Sequence, residues 1–321
     1  MMRRSLPILL KVSVSFGLVV YLFNRIEIEG VLNVMGSAHG SYLAVVLVAY
    51  LATQLISALR WAVLARAVGF EKPLREFAVY YLIGMFFNLF APSTVGGDVG
   101  RVYYLASSGP GSKGKSWIGW TATALSTVIA DRAVGMAVLI WVATAALLVF
   151  PAYEIPLPIR TLTFGLGLGL LLGWLLLPFI YHLLRRAIQP LGEGLRIAVE
   201  TYISKPRVVS KCMGLSVIIH FSQAVLHVLL GWALDLQIPW SYSFILYPLV
   251  GAFSAIPISL NGIGLREGGY LFMLQRINVS AEKALAFSLL WFMVGVLDSM
   301  VGGIVFIFRR RREPVVEEER S

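Results

Sequence analysis

Cysteine occurs once in the 321-residue sequence, at Cys212, so neither an intramolecular disulfide nor a cysteine-based metal cluster is available. The single thiol is expected to pack as a small apolar residue. Histidine occurs four times, at His39, His182, His220 and His227, and no pair has the spacing of a zinc protease. His220 and His227 lie seven apart on one helix face, which suits a structural role inside a bundle. Charge is scarce as well: 14% of residues are Asp, Glu, Lys or Arg, against about 25% in a soluble domain. Hydrophobic residues reach 58% and the mean hydropathy is +0.79, which excludes an ordinary soluble fold. What replaces the missing charge is a series of apolar runs of about 20 residues, the length at which a helix crosses a bilayer. The net charge of +10 is no nucleic-acid footprint, because the positive residues flank those runs instead of forming a basic face.

The pattern predicts an all-α polytopic membrane helix bundle in a single integral membrane domain. Full spans are expected over 6–24, 42–66, 118–150, 160–184, 211–234 and 280–308. The basic start at Arg3 and Arg4 is followed by Lys11 and then by no small-residue cleavage site, so the first span is read as retained. Basic residues cluster at Arg66, Lys72 and Arg75, at Lys113 and Lys115, across 185–211, and at Arg309–Arg312. The segments 24–41, 151–159 and 235–240 carry little positive charge. All basic clusters fall on one side if the remaining segments, 76–106 and 241–277, are re-entrant hairpins. The expectation is a cell-membrane protein with both termini cytoplasmic.

Each hairpin segment contains the same break. The first reads Pro92-Ser93 through Gly96-Gly97-Asp98 to Arg101, and the second reads Pro257, Ser259, Asn261, Gly262 and Gly264 to Arg266-Glu267. In both, the arginine follows the proline by nine positions. A shift of about 165 residues also maps 42–66 onto 207–231, overlapping the span 211–234, and 118–150 onto 283–315, overlapping 280–308. The sequence thus divides into repeat one over 42–150, a connection over 151–210 with a cytoplasmic surface helix, and repeat two over 211–308. The tail 309–321 follows. Span, hairpin and long helix recur with opposite orientation, the pattern of inverted-topology repeats, whose substrate sites lie at broken helices near the midplane.

Unpaired backbone in hydrocarbon costs several kcal/mol per group, so a broken helix survives only inside protein or against a watery cavity. Pro92 ends the incoming helix near Ala91, and Gly97-Asp98 opens a returning half-helix whose free N–H groups suit an anion. Arg101 lies one turn on and can grip a phosphate bidentately. Pro257, Ser259, Asn261, Gly262, Gly264, Arg266 and Glu267 repeat that logic. The competing view is that Asp98 and Glu267 only neutralise neighbouring arginines to hold the hairpin tips. Asp131-Arg132 lies mid-helix in 118–150, and Asp298 at a comparable depth in 280–308. Charges there face a cavity or a partner. Asp131 either pairs with a hairpin arginine or titrates as a proton-coupling site. Arg60 is expected to snorkel to the cytoplasmic interface, with Trp61 in an interfacial belt. The run Gly165-Leu166-Gly167-Leu168-Gly169 lies in a span and reads as close helix packing rather than a nucleotide fingerprint.

In the order Pro92-Ser93, Gly96-Gly97-Asp98, Arg101, Asp131-Arg132, Pro257, Ser259, Gly262, Gly264, Arg266 and Glu267, the chain resembles the transmembrane region of lysylphosphatidylglycerol synthases. The likeness covers about 40–308. It implies a flippase-like fold with two re-entrant hairpins. Full synthases add a soluble aminoacyltransferase domain, whereas this sequence ends at Ser321 shortly after the last span, so aminoacyl transfer is not carried over. The expected function is translocation of a lipid with an anionic or phosphate-containing headgroup. Catalytic residues, metal and cofactor are not expected, and nor is a nucleic acid. The expected partners are the lipid itself and an enzyme of cell-envelope lipid synthesis. The alternatives are an intramembrane transferase using Asp98 or Glu267 as base, and a non-transporting partner of an envelope enzyme.

Overall fold

The computed structural model describes residues 2–90, 96–107, 117–188 and 193–310, so Pro92 and Ser93, the Lys113–Lys115 loop and the tail beyond Arg310 lie outside the described residues. Twelve helices and no strand occur among the described residues. They are α1 (Met2–Arg25), α2 (Ile28–Gly36), α3 (Gly40–Ala67), α4 (Leu74–Phe90), α5 (Gly96–Ser107) and α6 (Trp117–Val149). The second half adds α7 (Leu157–Ile188), α8 (Glu193–Ser204), α9 (Pro206–Ala233), α10 (Trp240–Ser254), α11 (Leu265–Gln275) and α12 (Ala281–Arg310). Helices α3, α6, α7, α9 and α12 are long and apolar enough to cross a membrane. The expected first span is helical over Met2–Arg25, with an apolar portion at Lys11–Leu22.

Both expected hairpins are helix pairs, α4–α5 and α10–α11. Helix α4 ends at Phe90, just before the Pro-Gly break, and α10 ends at Ser254, three residues before Pro257. The stops of α3 and α9 are built alike. After α3, Gly69 takes φ 104°, its N–H donates to Arg66 O and that of Phe70 to Ala65 O. After α9, Asp235 takes φ 52°, its N–H donates to Trp232 O and that of Leu236 to Gly231 O. A left-handed residue closing the last carbonyls in this way is a common helix stop.

The helix neighbours fall into matching pairs when α3–α6 is exchanged with α9–α12. Helix α4 packs on α12 as α10 packs on α6, and α5 packs on α6 as α11 packs on α12. Helix α3 packs on α9 itself. Those two run antiparallel, because Arg60 meets Ser216 while Thr53, earlier in α3, meets Gln223, later in α9. Two cores result, the first mainly within α3–α6 and the second shared, since it takes in Val46 from α3 and Ala146 and Leu147 from α6. Trp61, Phe77, Tyr80, Leu105 and Trp120 close one, and Leu230, Tyr242, Leu246, Tyr270 and Phe287 close the other. Helix α7 packs on α6 and α8 and presents Leu162, Leu168, Leu175 and Phe179 outward. Of its glycines, Gly167 is pressed against Thr144, and its carbonyl accepts Trp141 Nε1–H at 3.0 Å. Gly165 and Gly169 meet nothing, so the packing expected of the run is made by one residue.

Candidate functional site

Helix α5 approaches α4 more closely than any side chain would allow. A Cβ on Gly97 would lie 1.9 Å from Gly84 O, and the Gly97 N–H donates across the hairpin to Asn88 Oδ1 at 2.8 Å. That approach sets Asp98 in the first turn of α5, where the helix dipole favours a carboxylate, and Arg101 one turn on. The Arg101 guanidinium lies over two rings, 4.3 Å from that of Trp61 and 4.7 Å from that of Tyr81.

Around Arg101 the charges alternate in a chain. Asp131 on α6 accepts Arg60 Nε at 2.8 Å on one oxygen and Arg101 Nη2 at 3.0 Å on the other. Asp98 sits 3.6 Å from Arg101 Nη1 and accepts Arg132 Nε. Arg60 Nη1 completes the run by donating to Ser216 Oγ at 2.8 Å. Asp131 therefore pairs with a hairpin arginine, as one sequence alternative had it. Two expectations are corrected. Arg60 is 7% exposed and is drawn inward by Asp131 instead of snorkelling outward. Trp61 is fully buried, donating to Thr127 Oγ1 at 3.0 Å, and stands in no interfacial belt. Cys212 is buried beneath them, as expected of an apolar packing residue, with its thiol 3.7 Å from Arg60 O.

The second break is built differently. Asn261 and Gly262 take φ 49° and 76°, and Gly264, with φ 85°, caps α11. Glu267 Oε2 accepts the Gly264 N–H at 2.6 Å and Oε1 accepts Arg266 Nε at 3.0 Å, so this carboxylate fills the helix N-terminus that was expected to receive an anion. Arg266 also lies 4.5 Å from the Phe292 ring. Helix α1 holds the turn from outside: Ser15 Oγ accepts Leu260 N–H at 2.8 Å, and a Cβ on Gly264 would strike Leu18. The two hairpins meet where Asn261 Nδ2 donates to Asn88 O at 3.1 Å.

Beside that junction lies a cavity of about 560 Å³. Of the sequence-predicted residues, Arg60, Asp98, Arg101, Asp131, Arg132, Asn261 and Arg266 line it. Gly96, Gly97, Gly262 and Gly264 shape the backbone around it, and Glu267 reaches it only through Arg266. Pro257 is exposed, while Ser259 is buried without a hydrogen-bond partner for its hydroxyl among the described residues. Asp298 is buried on α12 beside the lining residues Val296 and Ser299 without lining the cavity itself, and its Oδ2 has no hydrogen bond among the described residues. Four arginines line the cavity, against Asp98, Asp131 and the Glu267 bound to Arg266, which leaves one positive charge in excess.

The rest of the polar lining is uncharged, and sequence reasoning missed most of it. Gln54 and Ser57 from α3, His220 and Gln223 from α9, and Tyr247 from α10 belong to it. His220 is thus a wall residue. Its Nε2 donates to Gly135 O at 2.9 Å, so its Nδ1 accepts the Tyr247 hydroxyl at 2.9 Å. His227 is fully buried, bonded to Gln223 O and to Tyr270 Oη, and fills the structural role expected of it. The missed signal was a polar stripe through apolar spans: Thr53, Ser57 and Arg60 on α3, and Ser216, His220, Gln223 and His227 on α9, recur at helical spacing.

The lysylphosphatidylglycerol synthase TM region family model matches residues 8–302, and the chain belongs to that family. No curated protein matches the chain. A multi-pass membrane protein with a lipid-related function is what membership and the apolar helices support together.

Proposed function

We propose that the chain, as a member of this family, translocates a lipid with a phosphate-containing headgroup between the leaflets of the cell membrane. One observation carries the reading: two broken-helix hairpins meet at a cavity of about 560 Å³ whose arginines outnumber their carboxylate partners by one. A phosphodiester supplies the single negative charge that balances it. Asp98 and Asp131 hold Arg101 and Arg132. An entering phosphate competes for the same N–H groups, since arginine binds phosphate in the bidentate geometry it uses for carboxylate. Exchange of partners loosens α5 from α6, so that headgroup entry is coupled to movement of the hairpin. Rocking of α3–α6 against α9–α12 then alternates access. On this reading no bond is made or broken, and both cavity carboxylates serve as arginine partners rather than bases. The basic residues Arg66, Lys72 and Arg75 favour cytoplasmic termini by the positive-inside rule. An enzyme of cell-envelope lipid synthesis is the partner expected to deliver the lipid.

The test is reconstitution of the full chain in liposomes with a fluorescent phosphatidylglycerol, followed by quenching of the outer leaflet. Wild type is expected to move the lipid well above protein-free liposomes. Arg101→Ala and Arg266→Ala are expected to lose at least about tenfold, the cost of one charge-assisted contact. Loss of movement in monodisperse variants supports transport. Rates equal to protein-free liposomes, or unchanged in both variants, overturn it.

A further inference from the structure

A second cavity, of about 580 Å³, lies apart from the first, between the start of α4 and the end of α12. The two helices belong to opposite sets and come into backbone contact at Gly302, where an added Cβ would meet Leu82 O at 1.9 Å. Past that contact Val79, Ile304, Val305 and Phe308 form an apolar floor, and Arg75, Glu76 and Arg309 line the polar end. Both walls change character in the same direction. On α4, Arg75 stands in the first turn and Val79 one turn further in; on α12, Ile304 and Val305 come one turn before Phe308 and Arg309. Ile304 and Phe308 are 56% and 61% exposed, so the floor opens sideways to the acyl chains of the membrane. The Arg309 guanidinium stands 4.9 Å from the Tyr80 ring and 5.3 Å from that of Tyr104, and these rings stack 5.4 Å apart. Glu76 Oε2 accepts the Tyr80 hydroxyl at 2.8 Å. Two arginines against one carboxylate leave this lining with one positive charge in excess.

An inorganic anion would use the arginines and leave the apolar floor uncovered. A bare hydrocarbon chain would cover the floor and bring nothing to the positive charge. A phospholipid does both, because its phosphate and its acyl chains follow one another along the same axis as the two walls. Basic residues at the ends of membrane helices attract lipid phosphate, and an arginine can bind it bidentately. We propose that this groove seats one phospholipid, its phosphate at Arg75 and Arg309 and an acyl chain along Val79, Ile304 and Phe308. It is a resident lipid, distinct from any that passes through the central cavity, and it does not depend on the transport reading. Ile304, Val305, Phe308 and Arg309 lie beyond residues 8–302, so the family match does not describe this site. Because α4 and α12 come from opposite sets, the seated lipid touches both and ties them together at one edge.

The full chain in detergent is titrated with dioleoylphosphatidylglycerol and, separately, with dioleoylglycerol, which has the same chains and no phosphate. Bound lipids are counted by native mass spectrometry, and the unfolding temperature is followed alongside. Phosphatidylglycerol is expected to bind about tenfold or more tightly than dioleoylglycerol, the worth of one charge-assisted contact. Arg75→Gln removes the exposed cation, and Ile304→Trp fills the floor while keeping every charge. Each is expected to lower the number of tightly bound phosphatidylglycerols by one and to shrink the lipid-dependent rise in unfolding temperature. Val79→Trp takes the place of Ile304→Trp if that variant is not monodisperse. Loss in both variants supports the proposal whether or not lipid moves in liposomes. An unchanged count in both overturns it. So does loss in Arg75→Gln alone, which would mean general attraction to a basic surface. A count that rises when Glu313, Glu317, Glu318 and Glu319 are all changed to Gln would make the acidic tail the occupant and overturn it as well.

Discussion

Asp131 is the residue on which the charged wall depends. Its side chain is 2% exposed and its two oxygens hold two arginines from different helices, Arg60 on α3 and Arg101 on α5. Removing one partner of a buried pair leaves the other uncompensated, which costs about 3–5 kcal/mol. Asp131→Asn is therefore expected to lower the unfolding temperature sharply in detergent, because it strands two guanidinium groups at once. Adding Arg60→Met to that variant removes one stranded charge and should recover part of the loss. Thermal unfolding of the single and double variants checks this, and equal instability of the two would show that the pair is not coupled. The charges themselves were legible in sequence, since a carboxylate in a span must find a partner. Which partner was not legible. Arg60 lies seven residues from the end of a 28-residue helix, close enough for snorkelling, and only the packing of α3 against α6 and α9 turns it inward. The same packing buries Trp61 beneath Arg101.

Among the elements, the hairpins show what local chemistry specifies and what it leaves open. Proline and glycine at the breaks located α4–α5 and α10–α11 to within a few residues, because they act on their own backbone. The roles of Asp98 and Glu267 looked equivalent in sequence and are not. Glu267 lies three residues after its cap and closes back on the Gly264 N–H, whereas Asp98 is taken by Arg132 from another helix. Close approach was also invisible, as it depends on what lies opposite. Gly97 and Gly302 each face a backbone carbonyl that an added Cβ would meet at 1.9 Å, those of Gly84 and Leu82. Gly165 on α7 meets nothing within 4 Å. Gly97→Ala should force α5 from α4 and destabilise by about 1–3 kcal/mol or more. Gly165→Ala should be neutral or slightly stabilising, since alanine is the better helix former by about 1 kcal/mol. Thermal unfolding of both variants in one detergent decides this, and a loss at Gly165 equal to that at Gly97 would contradict the packing.

At the scale of the whole molecule, two sets of four helices join along the antiparallel seam of α3 and α9 and where each hairpin packs on the other set, α4 on α12 and α10 on α6. The seam is polar where it borders the cavity and apolar beyond, so the two sets hold each other while a polar cavity persists between them. The hairpins touch across this division at the Asn261–Asn88 hydrogen bond. If the sets rock to pass a headgroup, that contact, worth about 1 kcal/mol, must open and close while α4 shifts on α12 and α10 on α6. A covalent bridge would. Because Cys212 is the lone cysteine, a Cys212→Ser background leaves only introduced thiols to react. Asn88→Cys with Asn261→Cys, joined by a short bifunctional thiol reagent, should stop lipid movement in liposomes while the uncrosslinked double variant and each crosslinker-treated single variant still move lipid. A crosslinked protein that moves lipid at the rate of its uncrosslinked form would mean that the headgroup passes without separation of the hairpins, and rocking of one set against the other would have to be abandoned.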